Sequence, residues 1–522
     1  MEFQRWMRGA ALAVACLSVG FGIGRMHENG ARGAEAGGGV AIAGGKDPYQ
    51  FFDTLVDLRS QILHNYVEKV DEDKLLNGAI KGMMAELDPY SNYFTKDELA
   101  NFDRAVHGQF LGIGVEIAQD ASNGNFIIVS PLEDSPALKA GIYAGDRIVK
   151  INGESTDGMS QKDLVAKMAG EPGSVLKITI VHEGEKVPVD LAIARSVIQQ
   201  HSVKGVKVDS TGNWSYWIDQ EHRIAYVRIT NFMENTADEL DKALLPLIKD
   251  QAGGGVKGIV LDLRFDPGGL LETGIEVSKR FLDSGVIVSA GKPGAKMDLV
   301  VEATKEKTYP RMPLVVLINE YSASASEIVA GALKDHKRAV LIGARSFGKG
   351  SVQSLINLDN GNAALKLTTQ YYYLPSGKNI MRKKDATEWG VEPDAAFNIP
   401  LTTEENKAVL LARSQSEIIH KGAAAGASGV ATQPDGAAEL MSGGAGTQPA
   451  TRGAEPADRQ LQRAVEILVA YQAFGSSRDF TADVTTARPG ATASLPAAGT
   501  QPGDGKGNGG MVPEPESPGV TR

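Results

Sequence analysis

Residues 314–355 constrain the fold more than any other part of this 522-residue chain. Two short runs of apolar and β-branched residues, 314–318 and 339–342, each predict a buried strand. Between them, a turn of small residues leads into a helix predicted over 327–334. A glycine-flanked turn at 347–350 then precedes another strand. This succession of strand, turn, helix and strand favours an α/β core.

The first of these turns carries three serines, and one of them stands out. Ser324, unlike Ser322 and Ser326, is followed by Glu327 at the capping-box spacing. We therefore expect Ser324 at a helix N-terminus, where main-chain N–H groups and the helix dipole favour a developing oxyanion. Lys349 lies in the glycine-flanked turn and has no acidic residue within three positions. A lysine serves as a base only when neutral, so its pKa would have to fall from about 10.4 toward about 7–8.

The residues alone leave two interpretations open. In the first, Ser324 and Lys349 form a nucleophile and a base, with Gln353 on the same face of the strand as Lys349. In the second, Ser324 merely caps a helix and Lys349 is a solvated turn lysine. A histidine base is disfavoured. His336 stands at the far end of the same helix, roughly 18 Å from Ser324 at about 1.5 Å per residue, and no motif nominates His201.

Two segments, 321–333 and 346–353, closely resemble the active-site segments of the carboxy-terminal processing proteases, also called tail-specific proteases. The resemblance extends over roughly 47–400. It implies that Ser324 is the nucleophile, Lys349 the base, and Gln353 a support for the lysine. It also implies an α/β core like that of the crotonase-type and Clp-type superfamily, interrupted by a PDZ domain, with no cofactor and no metal.

Residues 107–198 resemble that PDZ domain, which we expect to be mainly β with two helices. The run 110–115 is similar to a PDZ carboxylate-binding loop, and 135–153 carries a second signature in the right order. A glycine loop exposes N–H groups that hold a terminal carboxylate, and the neighbouring strand edge pairs with the peptide. The predicted peptide-binding residues are Leu111, Gly112, Ile113, Gly114 and Arg147. For Arg147, a surface role in a turn is equally favoured.

The protease body is predicted to begin after residue 198 with a β-α-β unit. Strands at 224–229 and 256–263 flank a helix that Thr236 opens, with Glu239 at the capping-box spacing. Such strands are parallel with a right-handed crossover. Asp262, at the end of the second strand, is predicted to be structural.

The loop after that second strand supplies the predicted oxyanion donors. Gly268 and Gly269 are candidates through their main-chain N–H groups, and Ala325 through its own. The family usually shows Asn-Asn-Pro-Gly-Gly in this loop, so Phe265 and Asp266 depart from its pattern.

Both ends of the chain differ from the body in composition. Arg5 and Arg8 precede an uncharged stretch at 9–24, which predicts an export signal, either cleaved or retained as a membrane anchor. Cys16 is a weak candidate for lipidation. The remaining predicted regions are a linker up to residue 46, a helical region at 47–106 with Met83 and Met84 in its core, the protease core at 199–400, a helical region with a low-complexity insert at 401–475, and a disordered tail at 476–522.

Together these features predict an exported serine endopeptidase that recognises the C-terminal tails of its substrates through the PDZ domain. The net charge of −10 argues against nucleic acid as a partner. The expected partners are proteins with exposed C-termini, an adaptor protein as a further candidate, and the membrane through the N-terminal segment; the expected location is extracytoplasmic. A non-catalytic PDZ scaffold and a Ser/His/Asp esterase are the alternatives.

Overall fold

The computed structural model describes residues 50–120, 123–250, 252–358, 361–422 and 458–473, together with 480, 481 and 484. The predicted export segment with Cys16, the low-complexity insert and the C-terminal tail lie outside the described residues. Within the described part of the chain, no helix is both long and apolar enough to cross a bilayer.

The described residues form helices and strands with the following bounds. The helices are α1 Gln50–Asn65, α2 Glu72–Ala85, α3 Lys96–Val106, α4 Pro136–Lys139, α5 Gln161–Met168, α6 Thr236–Lys249, α7 Leu271–Lys279, α8 Ala325–Asp335, α9 Thr403–Ser416 and α10 Arg459–Ala473. The strands are β1 Asn92–Thr95, β2 Gln109–Gly112, β3 Val115–Gln119, β4 Phe126–Pro131, β5 Arg147–Ile151, β6 Glu154–Ser155, β7 Val175–Val181, β8 Pro188–Ala194, β9 Ser196–Gln199, β10 Val203–Lys204, β11 Lys207–Val208, β12 Trp214–Ser215, β13 Trp217–Asp219, β14 Ile224–Ile229, β15 Gly258–Asp262, β16 Val286–Gly291, β17 Leu299–Glu302, β18 Leu314–Ile318, β19 Val340–Gly343, β20 Ser351–Leu358 and β21 Ala363–Tyr373.

The central sheet has the strand order β10-β14-β15-β18-β19, with β13 also paired to β14. Strands β14, β15, β18 and β19 are parallel, as the β-α-β pattern predicts. Along β18, Leu314 and Val316 face the core shared with α6, α7 and α8, whereas Val315 and Leu317 face the core shared with α10. Helices on both faces explain why these strands are continuously apolar.

A second sheet lies beside the lysine turn and brings distant parts of the chain together. Strands β20 and β21 form an antiparallel hairpin, and β21 also pairs with β16 and β1. In the β1 pairing, Asn92 is opposite Lys366. The loop before β1 is therefore held next to the strands that follow Lys349.

The PDZ domain is a sheet of order β3-β4-β5-β7-β8, with β6 on β5, around its own apolar core. Helix α5 contributes Leu164 and Met168 to that core, and α4 contributes Ala137. The predicted fold class, an α/β protease core with an inserted β-rich PDZ domain and a helical N-terminal segment, is confirmed.

The N-terminal helices are less buried than their apolar periodicity predicts. No residue of α2 is buried, and Met83 is 47% exposed, so its placement in a core was wrong. Met84, in contrast, is half-buried and lines a cavity. Periodicity identifies an apolar face, but within the described residues too little of the chain packs over this one to bury it.

The predicted capping box at α6 does not form. The N-cap is Asn235, without a side-chain capping bond. Thr236 Oγ1 instead accepts the Met233 N–H at 2.9 Å, and Glu239 Oε2 accepts the Ser202 N–H at 2.8 Å. Thr236 Oγ1 also bonds to Ser202 Oγ at 2.7 Å, so both side chains hold the residue that precedes β10, a tertiary contact that the spacing does not reveal.

Candidate active site

Ser324 lies in the turn between β18 and α8, at the N-cap of α8. Its backbone has φ 56° and ψ −114°, a left-handed conformation that costs a non-glycine residue of order 1–3 kcal/mol. The neighbouring serines hold the turn: Ser322 Oγ donates to the Leu263 oxygen at 2.8 Å, and Ser326 Oγ donates to the Asp266 oxygen at 3.0 Å. Among the described residues the Ser324 hydroxyl donates to no main-chain carbonyl, and it lies beside the Tyr372 hydroxyl.

Lys349 is buried with only 3% of its surface exposed. Its Nζ lies 5.0 Å from the centre of the Tyr90 ring. Burial and, to a smaller extent, the positive charge of Lys366 lower the pKa of the ammonium to about 7, against the opposing charges of Glu327 and Asp88. The neutral amine that a base requires is therefore well populated at neutral pH.

Glu327 joins the serine turn to the lysine turn. Its Oε2 accepts the main-chain N–H groups of both Ser324 and Lys349 at 2.8 Å. Its Oε1 accepts the Gly348 N–H at 2.7 Å and the Ser346 hydroxyl at 2.6 Å. Burial raises the pKa of Glu327, and these bonds partly offset that effect. One fully buried carboxyl group thus fixes both halves of the candidate dyad.

Gln353 is fully buried in β20. Its amide donates to Ser351 Oγ at 2.8 Å and to Thr368 Oγ1 at 3.2 Å. Its Oε1 accepts no hydrogen bond among the described residues. The amide bonds fix the side chain, and its support of Lys349 stays a prediction.

The predicted oxyanion loop packs directly against the serine turn. A Cβ built on Gly268 would lie 2.7 Å from Ser324 Cβ and 2.9 Å from the Ala325 nitrogen. The Gly268 N–H, however, already donates to Asp266 Oδ1 at 2.8 Å. Gly269 forms a bridge with Phe232. Gly268 and Ala325 are thus close to Ser324, and Gly269 lies in the same loop as Gly268. The Gly268 N–H, however, is already bonded to the Asp266 side chain.

Gly268→Ala is expected to lower activity about 100-fold, because a Cβ at φ +94° would also lie 2.5 Å from the Ala323 oxygen. Gly254→Ala is the matched control: Gly254 has φ +89°, and no atom of the described residues lies within 4 Å of the added Cβ. The control carries only the strain of the left-handed backbone, about 1–2 kcal/mol. Rates of peptide cleavage and urea unfolding of both variants distinguish the two effects, and equal activity losses would contradict the crowding argument.

A cavity of about 650 Å³ opens between α2, α3 and the loop at 267–270. Gly268, Gly269, Tyr90 and Lys366 line it together with apolar side chains, but Ser324 is not part of its wall. Since Ser324 is fully buried, a substrate in this cavity reaches the hydroxyl only after a local opening. In this structure the Ser324 hydroxyl is therefore not accessible from the cavity.

Sequence reasoning did not identify several residues that surround Lys349. Tyr90 and Asp88 belong to a loop that the sequence marks only as a helix end, and Lys366 to a strand in which it is one polar residue among several. Burial lowers the pKa of Lys366 to about 8. The available signal was the position of Lys366 between the apolar Leu365 and Leu367 of β21; its side chain is only 3% exposed.

Asp262 has a structural role, as predicted. Its Oδ2 accepts from Arg264, Arg413 and Tyr226. Burial raises its pKa, but the two arginines outweigh that effect and hold the pKa well below its usual range. Arg264 in turn bonds to Asp458, just before α10, so this network ties the start of the oxyanion loop to the C-terminal helices.

Neither histidine considered as a base is available to Ser324. His201 Nδ1 bonds to Glu239 Oε1 at 2.9 Å. His336 is the C-cap of α8, and its Nε2 lies 2.7 Å from the Val286 oxygen. The structure thus brings Lys349, and not these histidines, into the bonding network of the serine turn.

The predicted peptide-binding residues 111–114 run from the end of β2, which pairs with β9, toward β3 in the PDZ domain. Leu111 is 37% exposed, whereas Ile113 is buried. The Ile113 and Gly114 carbonyls accept bonds from the main chain of α4 and from Leu132, which fixes the loop. Arg147 is exposed on β5, in register with Ile127, two strands across from β3. The sheet register therefore separates Arg147 from the loop.

Three regions of the chain match known protein families. Residues 223–397 match Peptidase family S41, residues 100–181 match the PDZ domain, and residues 46–98 match the N-terminal domain of the activating protease CtpB.

Relatives cover most of the chain. A carboxy-terminal-processing protease of Bartonella bacilliformis is 39% identical over 364 residues, 69% of this chain and 78% of the relative. The carboxy-terminal processing protease CtpA of Bacillus subtilis is 37% identical over 352 residues, 67% of this chain and 69% of the relative. Among solved structures, a photosystem II D1 C-terminal processing protease is 29% identical over 67% of this chain and 87% of its own, with a TM-score of 0.37.

The chain belongs to the carboxy-terminal processing proteases of peptidase family S41. It is accordingly a serine-type peptidase that carries a PDZ domain.

Proposed function

We propose that this protein is an exported endopeptidase that cleaves polypeptides near their C-termini with a dyad of Ser324 and Lys349. The observation that carries the proposal is the shared clamp: Glu327 Oε2 binds the main chain of both residues, and burial lowers the pKa of Lys349 to about 7. A serine hydroxyl and a neutral amine are thus held by one group.

The chemistry follows from these positions. Ser324 Oγ attacks the substrate carbonyl carbon, and the neutral Lys349 amine accepts the hydroxyl proton. The Ala325 N–H at the N-terminus of α8 and the glycine loop stabilise the oxyanion. The C–N bond then breaks as the Lys349 ammonium gives its proton to the leaving amine. Water hydrolyses the acyl-enzyme with the lysine again as base.

A serine-directed fluorophosphonate probe tests this assignment. We expect it to label Ser324, with fluoride leaving and Lys349 taking the hydroxyl proton. Because only the neutral amine acts, labelling should rise with pH through about 7 and fall about tenfold per pH unit below that range. Mass spectrometry identifies the labelled residue, and Ser376→Ala, at an exposed serine, is the control. No label on Ser324 across this range would favour the non-catalytic PDZ scaffold.

We further propose that the PDZ loop captures the free C-terminus of a protein substrate. Peptide binding to the Ser324→Ala protein should weaken about tenfold when the peptide is amidated, because the loop N–H groups lose a carboxylate. Leu111→Asp should weaken it similarly, whereas Leu299→Asp, at an equally 37% exposed leucine of the core, should not. Calorimetry measures both effects, and equal binding of the acid and the amide would contradict carboxylate capture.

Export and membrane attachment through residues 9–24, and an adaptor as an additional partner, belong to the same proposal. The basic residues before an uncharged stretch support export. Fractionation of cells that produce the full chain, with and without residues 1–46, tests the location.

A further inference from the structure

Asp266 is a buried carboxyl group at the edge of the candidate site. It lies in the loop between β15 and α7 and has no exposed surface. Its Oδ1 accepts the Gly268 N–H at 2.8 Å, whereas its buried Oδ2 accepts no hydrogen bond among the described residues. Oδ1 thus has one main-chain donor and Oδ2 has no partner among the described residues, so a negative charge on this buried carboxyl group would be stabilised by little besides the Gly268 N–H.

The main chain of Asp266 is bound to the serine turn. Its carbonyl oxygen accepts the Ala323 N–H at 3.0 Å and the Ser326 hydroxyl at 3.0 Å. Asp266 therefore connects the glycine loop, through its side chain, to the residues on both sides of Ser324, through its main chain. Any change in this carboxyl group acts on both parts of the site.

The surroundings of Asp266 disfavour a negative charge. Burial raises the pKa of Asp266 well above its usual range; the Gly268 N–H and the Ser326 hydroxyl lower it, and the charge of Asp262, at the end of β15, raises it. From the serine turn that packs against it, the interacting group is the uncharged Ser326 hydroxyl. Within the described part of the chain, no lysine or arginine forms an ion pair with Asp266, since Arg264 pairs with Asp262 and Asp458.

We propose that Asp266 is a positioning residue that works only as the neutral acid, and that its ionisation switches acyl transfer off. The inference rests on the function proposed for Ser324. The oxyanion of the tetrahedral intermediate forms next to the Gly268 peptide, so an anion bonded to that peptide opposes the developing charge in a site from which water is excluded. The acid limit of activity then belongs to Lys349, and the alkaline limit to Asp266.

The decisive comparison is between Asp266→Asn and Asp266→Ala. Asparagine keeps an oxygen for the Gly268 N–H and cannot ionise, whereas alanine removes the acceptor. In wild type, cleavage should fall about tenfold per pH unit on the alkaline side. That fall should be absent in Asp266→Asn, and the asparagine should restore more of the turnover number than the alanine. Asp283→Asn, at an exposed aspartate of the core, should keep the wild-type profile.

Difference infrared spectroscopy reports the protonation state independently of activity. The C=O stretching band of a protonated carboxylic acid should be present in wild type at neutral pH, absent in Asp266→Asn, and lost at the pH at which activity falls. The proposal is overturned by the lack of this band at neutral pH, by a wild-type profile that stays flat to about pH 10, or by an equal alkaline fall in Asp266→Asn. A wild type that shows the band but never cleaves would instead refute the function proposed for Ser324.

Discussion

Ser324→Ala and Lys349→Met should each lower the turnover number at least about a thousandfold, the largest effects expected for this protein. The first variant removes the nucleophile and the second removes the proton acceptor, which lies in a pocket where burial lowers the amine pKa to about 7. Methionine fills a similar volume, so Lys349→Met should keep the packing against Tyr90. Cleavage of a protein with an unstructured, apolar C-terminus, followed by mass spectrometry, measures both losses.

The controls replace the same residue types outside the site. Ser376→Ala and Lys384→Ala change exposed side chains and should cleave as fast as wild type. The double variant Ser324→Ala/Lys349→Met should be no slower than either single variant, because the two groups act as one unit. Retained cleavage in Lys349→Met, together with its loss in a histidine variant, would favour the esterase-type triad.

Glu327→Gln is expected to have the second largest effect, a fall of about 100-fold in turnover number and a loss of about 1–3 kcal/mol in the free energy of unfolding. Each carboxyl oxygen accepts at least one main-chain N–H, from Ser324 and Lys349 on one side and Gly348 on the other. A glutamine amide in either orientation therefore points its own donor at another donor. Both turns of the dyad would shift.

The matched control for this substitution is Glu405→Gln. Glu405 also completes a capping box, with Thr402 at the start of α9, but its partners lie away from the dyad. Its substitution should leave turnover unaffected. Turnover, chemical unfolding and peptide binding by the PDZ domain should be measured on both variants. If Glu327→Gln lost stability but kept its turnover number, Glu327 would be a structural residue only.

The central sheet and the serine turn could be predicted because their signals are local. The apolar run of β18 and the spacing of Ser324 and Glu327 are properties of a few consecutive residues. The same spacing at Thr236 and Glu239 led to a wrong prediction, because the Glu239 carboxylate is used by Ser202 from another element. The spacing of two residues shows which capping bonds a segment can form. It does not show whether residues from other elements take those side chains for tertiary hydrogen bonds instead.

The electrostatics of the site could not be predicted from the local sequence. The low pKa of Lys349 depends on burial and on Lys366, and its ring contact comes from Tyr90, a residue far away along the chain. In the sequence, Asp266 only departs from the usual family pattern of its loop. Its burial in the structure identifies it as a candidate neutral acid. Desolvation is a property of the packed structure, and no local pattern encodes it.

The contact between Tyr90 and Lys349 has a consequence for how such an enzyme matures. The loop that carries Tyr90 leaves the ribosome early, well before the hairpin of β20 and β21 against which β1 pairs. Until that early loop has docked on the late hairpin, Lys349 lacks its contact with Tyr90, and we expect its ammonium to be more hydrated than in the folded chain. An unfinished or misassembled chain would therefore lack part of the burial that lowers the pKa of Lys349, and under the proposed mechanism we expect it to cleave more slowly than the folded protein.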